Sequence, residues 1–447
     1  MSQRGIGPPD KRYIAFKIKS TCVNQDRPDR FLLPRKIRHH DLEVRRRTQL
    51  AQILTGLRDS AIRGNDGAVT WIVPTLTSKG WLPSRVGVDL YGGLSGVALL
   101  LGAYVREIHA GRADPVAGIE TLSDEVQGTL KLYDDAHKCR ATRETRESTK
   151  IGAYVGLGSQ IWTLLVLGEW NRNCNDEMER ARRLALDMIG AVRHQGSDVL
   201  SGKAGAISVL LMLASRARDA TFLDAAKRFG HELCESATFE RGNAFWPNAA
   251  KWPKGLGGFS HGATGIGWAL TKLARATGED RFEEVAQAAF RFEDNLFDND
   301  EKNWLDMRVT GGGRSAAAWC HGSVGIGLAH LDIDPFLEAP QTLRVLKRAS
   351  LATARRGLGW SHCLCHGDLG AWELLDQSIG QNIIRLGMSR DALMAAVLSS
   401  MEDFGPSCET HHGFFASGLM CGLSGIAYQL LRTDSESRLP SVLILGD

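Results

Sequence analysis

From residue 89 onward, short glycine-led turns alternate with apolar runs. Gly93-Leu94-Ser95-Gly96 precedes Val97–Leu101, Gly156-Leu157-Gly158-Ser159 precedes Ile161–Leu165, and Gly202-Lys203-Ala204-Gly205 precedes Ala206–Leu211. The pattern returns at Gly262–Gly265, Gly322–Gly325, Gly367–Gly370 and Gly422–Gly425, with lead glycines 63, 46, 60, 60, 45 and 55 residues apart. Between the turns lie charged stretches with apolar residues at helical spacing, such as Arg180–Val192 and Phe282–Phe292. Each unit therefore predicts two helices: one small and apolar, starting just after the glycines, and one charged along a single face. Neither buries its apolar face alone, so seven stacked units predict an inner ring of apolar helices inside an outer ring of charged ones. Glycine permits tight turns and close backbone approach at each inner-helix start. The unpaired N–H groups and positive dipole ends of those helices then gather on one face of the ring.

Composition narrows the function classes. The chain has 447 residues, 43% of them hydrophobic, and a net charge of +3, so its totals give no case for nucleic-acid binding. Residues 1–45 stand apart: Lys and Arg outnumber Asp and Glu, prolines interrupt, and helical periodicity begins only near Leu42. They read as a basic, partly ordered arm, with a docking patch for an acidic peptide or partner as the alternative; residues 46–447 read as one repeat-built unit. No apolar signal core opens the sequence and no window suffices to span a bilayer, so a cytoplasmic protein is expected. Nine cysteines, unevenly placed and clustered with histidine, suit metal chemistry better than a disulfide scaffold.

The clustering is sharpest in Trp319-Cys320-His321-Gly322 and Ser361-His362-Cys363-Leu364-Cys365-His366-Gly367. Adjacent Cys and His open a glycine turn twice, and thiolate with imidazole is the ligand set that selects zinc. The two turns can share one ion only if the fold brings two inner-helix starts together.

These motifs, with Asp89-Leu90-Tyr91-Gly92-Gly93-Leu94-Ser95-Gly96, His261-Gly262-Ala263-Thr264-Gly265, Leu364–Gly370 and the ending Leu439–Leu445, resemble the lanthionine synthetase C-like proteins. In detail they resemble the cyclase domain of the bifunctional class II lanthipeptide synthetases, over roughly residues 50–447. The resemblance implies an all-α (α/α)7 toroid holding one Zn2+. It also implies a cyclase that adds cysteine thiols of a dehydrated precursor peptide to dehydroalanine or dehydrobutyrine, forming (methyl)lanthionine rings. The chain has no room for the dehydratase of a class II enzyme, so a separate dehydratase is the expected partner.

Carried onto this sequence, the resemblance makes Cys320, Cys365 and His366 the metal ligands, with a fourth position open to water or substrate thiol. It gives catalysis to His261, a residue type suited to protonating an enolate carbon as general acid. Asp198 would orient His261 or take up the thiol proton; an N-cap or loop carboxylate is its plain alternative. Cys363 and His362 are expected to pack near the site, with ligation as the alternative. His321 is either a second proton donor or a rim hydrogen-bonding residue. Some family members carry an Arg where this chain has Ala316, and Arg314 stands two residues earlier. His411 and His412, near Cys408, read as a solvated loop. Trp246 and Trp252 read as packing, or as a wall for a peptide. Two other functions remain open at this stage: addition of a small thiol such as glutathione to dehydroamino acids, and a non-catalytic, zinc-stabilised binding toroid. Terpene cyclases and (α/α)6 glycosidases would need acidic motifs that the chain lacks.

Overall fold

The computed structural model describes residues 32–446 except 78–79, 141–149, 172–174, 192–194, 248–251, 309–314, 385–388 and 409–414. Among the described residues the inner helices are α2 (Leu94–His109), α4 (Leu157–Trp170), α6 (Lys203–Ala217), α8 (Ala263–Thr277), α10 (Ser323–Ile333), α12 (Asp368–Gly380) and α14 (Leu423–Arg432). Each begins one residue after a lead glycine and takes that glycine as its N-cap. The outer helices are α1 (Leu42–Asp59), α3 (Ile119–Arg140), α5 (Asn175–Gly190), α7 (Ala220–Ser236), α9 (Asp280–Asn295), α11 (Pro340–Arg356) and α13 (Arg390–Phe404). The expected toroid of seven helix pairs is thus the fold. Among the described residues, four antiparallel two-stranded hairpins decorate it: β1 (Ile62–Arg63) with β2 (Val69–Thr70), β3 (Ile72–Thr77) with β4 (Gly80–Arg85), β5 (Thr238–Glu240) with β6 (Asn243–Phe245), and β7 (Phe297–Asp298) with β8 (Asn303–Trp304).

What closes the ring is a backbone circuit just ahead of the inner helices. Tyr91 N–H donates to Tyr154 O, Tyr154 to Leu200, Leu200 to Ser260, Ser260 to Cys320, Trp319 to Cys365, Cys365 to Met420, and Met420 back to Tyr91, at 2.9–3.1 Å. In six of the seven bonds both residues lie two before a lead glycine, so the repeat register is itself the circuit. The fourth residue of each turn is glycine in six repeats because it sits against backbone. A Cβ at Gly370 would lie 1.9 Å from Leu364 O, which no side chain tolerates. The second turn has Ser159 there, fully buried, its hydroxyl returned to Gly156 O.

The centre of the ring is filled by residues 439–445. Val442 and Leu443 are wholly buried; Tyr154 donates to Val442 O at 2.8 Å and Trp319 Nε1 to Leu443 O at 2.7 Å. Outside, α1 packs against α13 and α14, joining the first pair to the last. Residues 32–45 lie along the same seam, with Arg38 on Glu402 and Asp403 and Arg45 on Glu402. Residues 1–31 of the expected basic arm are outside the described residues.

Two buried histidines make stability depend on acid. His362 Nδ1 accepts from Ser407 N–H at 2.9 Å, so its Nε2 carries the proton and donates to Ser400 Oγ at 2.9 Å. Burial pushes its pKa down to about 3, and that of His330, beneath Phe290, down to about 4. The unfolded chain titrates these rings near 6.5, so between about pH 4 and 6.5 it binds more protons than the folded one. Stability therefore rises with pH across that window and is lost as pH falls through it, by at most about 1.4 kcal/mol per unit per ring. His362→Gln is expected to lower the slope of urea-unfolding free energy against pH there by about 1 kcal/mol per unit; an unaltered slope contradicts it.

Candidate metal centre and proton-transfer site

The helix starts converge on one face, and with them the polar residues that precede the lead glycines. Cys320 from the fifth turn and Cys365 and His366 from the sixth form a compact set. Cys320 Sγ lies 3.1 Å and Cys365 Sγ 3.4 Å from His366 Nε2, with all three ligand atoms within 4.8 Å of one another. The adjacency follows from the circuit, in which Trp319 N–H binds Cys365 O. Cys320 is 7% exposed and Cys365 wholly buried.

Two groups that the sequence reading passed over complete the setting. The Tyr91 hydroxyl, from the first turn, donates to Cys365 Sγ at 3.1 Å and lies 3.2 Å from Cys421 Sγ of the seventh. Cys421 Sγ is 3.8 Å from His366 Nδ1. Cys421 was legible: it stands directly before Gly422, as His261, His321 and His366 stand before Gly262, Gly322 and Gly367. Tyr91 shares the register of Cys320 and Cys365, two residues before its glycine.

The sulfurs press on one another. Burial works to raise the Cys320 thiol, but the Cys365 thiol, His321 and His366 hold it well below the ordinary range. Burial and the neighbouring thiols Cys320 and Cys421 push Cys365 well above it, and burial with the adjacent sulfurs keeps the Tyr91 phenol protonated. Several buried sulfurs this close cannot all ionise without a cation. The donor set therefore fits a soft divalent metal, which would let both ligand thiols ionise.

The His261–Asp198 pair is separate. His261 Nδ1 is 2.8 Å from Asp198 Oδ2, and Asp198 Oδ1 accepts from Ser201 N–H at 2.8 Å and Ser201 Oγ at 3.2 Å. Burial opposes ionisation of Asp198, but His261 and the Ser201 donors hold its carboxyl below the usual range. The histidine side chain is 31% exposed, and the Trp252 ring lies 6.4 Å from it, centroid to centroid. Its turn is fastened from behind: buried Glu293 accepts from Gly258 N–H and Thr264 Oγ1. Gly258, at φ +90°, lies so close to the fifth turn that a Cβ would meet His321 Cα at 2.6 Å.

Other sequence candidates fall elsewhere. His321 Nδ1 is 2.7 Å from Cys320 Sγ, and its Nε2 is 3.5 Å from Asp306 Oδ2, an ion-pair separation without hydrogen-bond geometry. His362 turns away to Ser400 and Ser407. Cys363 is buried, 3.2 Å from Ser361 Oγ. Trp246 donates to Leu233 O, a packing role. Ala316 is buried, while Arg314, His411 and His412 lie outside the described residues.

The family model for lanthionine synthetase C-like protein matches residues 84–444. The chain belongs to the lanthionine synthetase C-like family. The lacticin 481/lactococcin biosynthesis protein LcnDR2 of Lactococcus lactis subsp. lactis is 24% identical over 214 residues, 44% of this chain and 22% of that protein. This chain thus matches about a fifth of that relative's length. Among solved structures, nisin cyclase superposes with a TM-score of 0.60 at 18% identity, covering 80% of this chain and 92% of the other, a likeness of fold. An unsaturated glucuronyl hydrolase from Bacillus sp. GL1 reaches a TM-score of only 0.41 and carries no argument. Among the described residues, no helix is long and apolar enough to cross a membrane.

Proposed function

We propose that this protein is a zinc-dependent lanthipeptide cyclase, joining cysteine thiols of a dehydrated precursor peptide to its dehydroalanine or dehydrobutyrine residues. The observation that carries the reading is the paired arrangement on one face: a buried S2N donor set and, on the adjacent fourth turn, a partly exposed histidine braced by a carboxylate. Cys320, Cys365 and His366 would hold the metal. Bound zinc would supply the acidity that keeps a substrate thiol deprotonated at neutral pH.

The remaining work falls to the chain. In the addition a sulfur–carbon bond forms at the β-carbon, the alkene electrons move toward the carbonyl, and the α-carbon takes a proton. His261, its Nδ1 engaged by Asp198, delivers that proton from Nε2. Asp198 accepts from Nδ1, which fixes the tautomer and favours the charged ring that donates. Trp252 offers a flat apolar wall beside this histidine for the peptide. Tyr91, kept protonated, donates to Cys365 and tempers its charge. We assign the activity to residues 46–447, with a separate dehydratase supplying the modified peptide to a cytoplasmic enzyme.

The test is a thiol count. Incubation of zinc-loaded protein with a dehydrated, cysteine-containing precursor peptide, followed by alkylation and mass measurement, is expected to show alkylatable thiols disappearing at unchanged peptide mass. Thiols that persist with one zinc per chain would contradict cyclase activity on that peptide. A protein that holds no zinc would overturn the metal reading.

A further inference from the structure

His366 has sulfur on both sides. Its Nε2 edge faces Cys320 and Cys365, as described; its Nδ1 edge faces Cys421 at 3.8 Å. Cys363, Cys421 and His366 form a second donor set whose ligand atoms all lie within 4.8 Å of one another. Cys363 comes from the sixth turn and Cys421 from the seventh, whose backbones are joined by the Cys365–Met420 hydrogen bond. Cys421 falls in a donor set with Cys363 and His366, and its sulfur also touches that of Cys365.

We propose that Cys363, Cys421 and His366 Nδ1 form a second site for a soft, thiophilic ion such as Zn2+, Cd2+ or Cu+, back to back with the first across one imidazole. This rests on the metal reading above. Each ligating thiol releases its proton to solvent. Filling both sides also removes the ring N–H proton, leaving an imidazolate shared by two cations, so the second ion binds more weakly than the first and better as pH rises. Besides the shared His366, the Tyr91 hydroxyl touches one cysteine of each set, Cys365 and Cys421.

Metal-free full-length protein titrated with Cd2+ at about pH 8 tests this, with bound metal and sulfur-to-cadmium absorbance read together. Two ions per chain are expected, with absorbance rising in two steps. Cys421→Ser should keep the first ion and lose the second, and Cys421→Ala should do the same, with far-ultraviolet circular dichroism unchanged. One ion per chain whose absorbance falls in Cys421→Ser would make Cys421 a ligand of the first metal and overturn the proposal. One ion with spectra indifferent to Cys421 would also overturn it. If Cys320→Ser leaves binding intact while Cys421→Ser removes an only ion, the donor set of the cyclase reading is what fails.

Discussion

Replacing Cys365 by alanine is expected to strip the metal from the protein and to stop thiol consumption together. Cys365 is wholly buried beside Tyr91 and His366, and its removal leaves Cys320 and His366 as a two-ligand site. A cysteine thiol titrates near 8.5, so without metal only a few per cent of a substrate thiol is ionised at pH 7. That costs roughly a factor of 30, and loss of orientation adds about tenfold or more, for a total of roughly 10²–10³ in ring-closure rate. The side chain is small and the ring is held by backbone bonds that the substitution spares, so helical circular dichroism should be unchanged. Metal analysis and the alkylation assay on one preparation check it. Cys234→Ala is the control, a buried cysteine on α7 away from the site. Retention of metal by Cys365→Ala at wild-type affinity would remove Cys365 from the ligand set.

His261→Ala should separate chemistry from metal binding. The variant is expected to hold zinc as the wild type does and to lose about 10²–10⁴ in single-turnover ring closure, the range for a positioned proton donor. Asp198→Asn should move in the same direction. The carboxylate both accepts from Nδ1 and favours the charged ring; an amide can instead offer a donor there and stabilise the wrong tautomer. Zinc content is again the deciding second measurement. Loss of zinc from His261→Ala would make this histidine a ligand rather than an acid, and an undiminished rate would leave it a helix-start residue.

Several particulars show how far the sequence carried. The seven glycine-led turns gave the helix count and both rings. Residues 180–190 of the first amphipathic stretch lie in α5 and the stretch 282–292 lies in α9, and helical periodicity near Leu42 is where α1 begins. Two cysteines and a histidine expected to meet from turns 45 residues apart do meet, and His261 and Asp198, 63 residues apart, are hydrogen bonded. Cys421 and Tyr91 were missed because neither sits in a Cys-His pair; the signal lay in register rather than in motif. His362 illustrates the opposite case, a histidine inside the densest motif whose side chain points to a neighbouring outer helix and loop.

The sequence by itself determined the repeat, and with it the elements: apolar periodicity and glycine placement are local properties, written in consecutive residues. It also determined which residue types stand before each helix. What only the tertiary structure decided is which of those positions touch. The circuit of backbone bonds closes Met420 onto Tyr91, bringing the first and last turns together and placing a tyrosine and a fourth cysteine beside the metal set. No spacing along the chain encodes that contact, because it is set by the radius at which seven helix pairs close and by the plug of residues 439–445 that fills the ring.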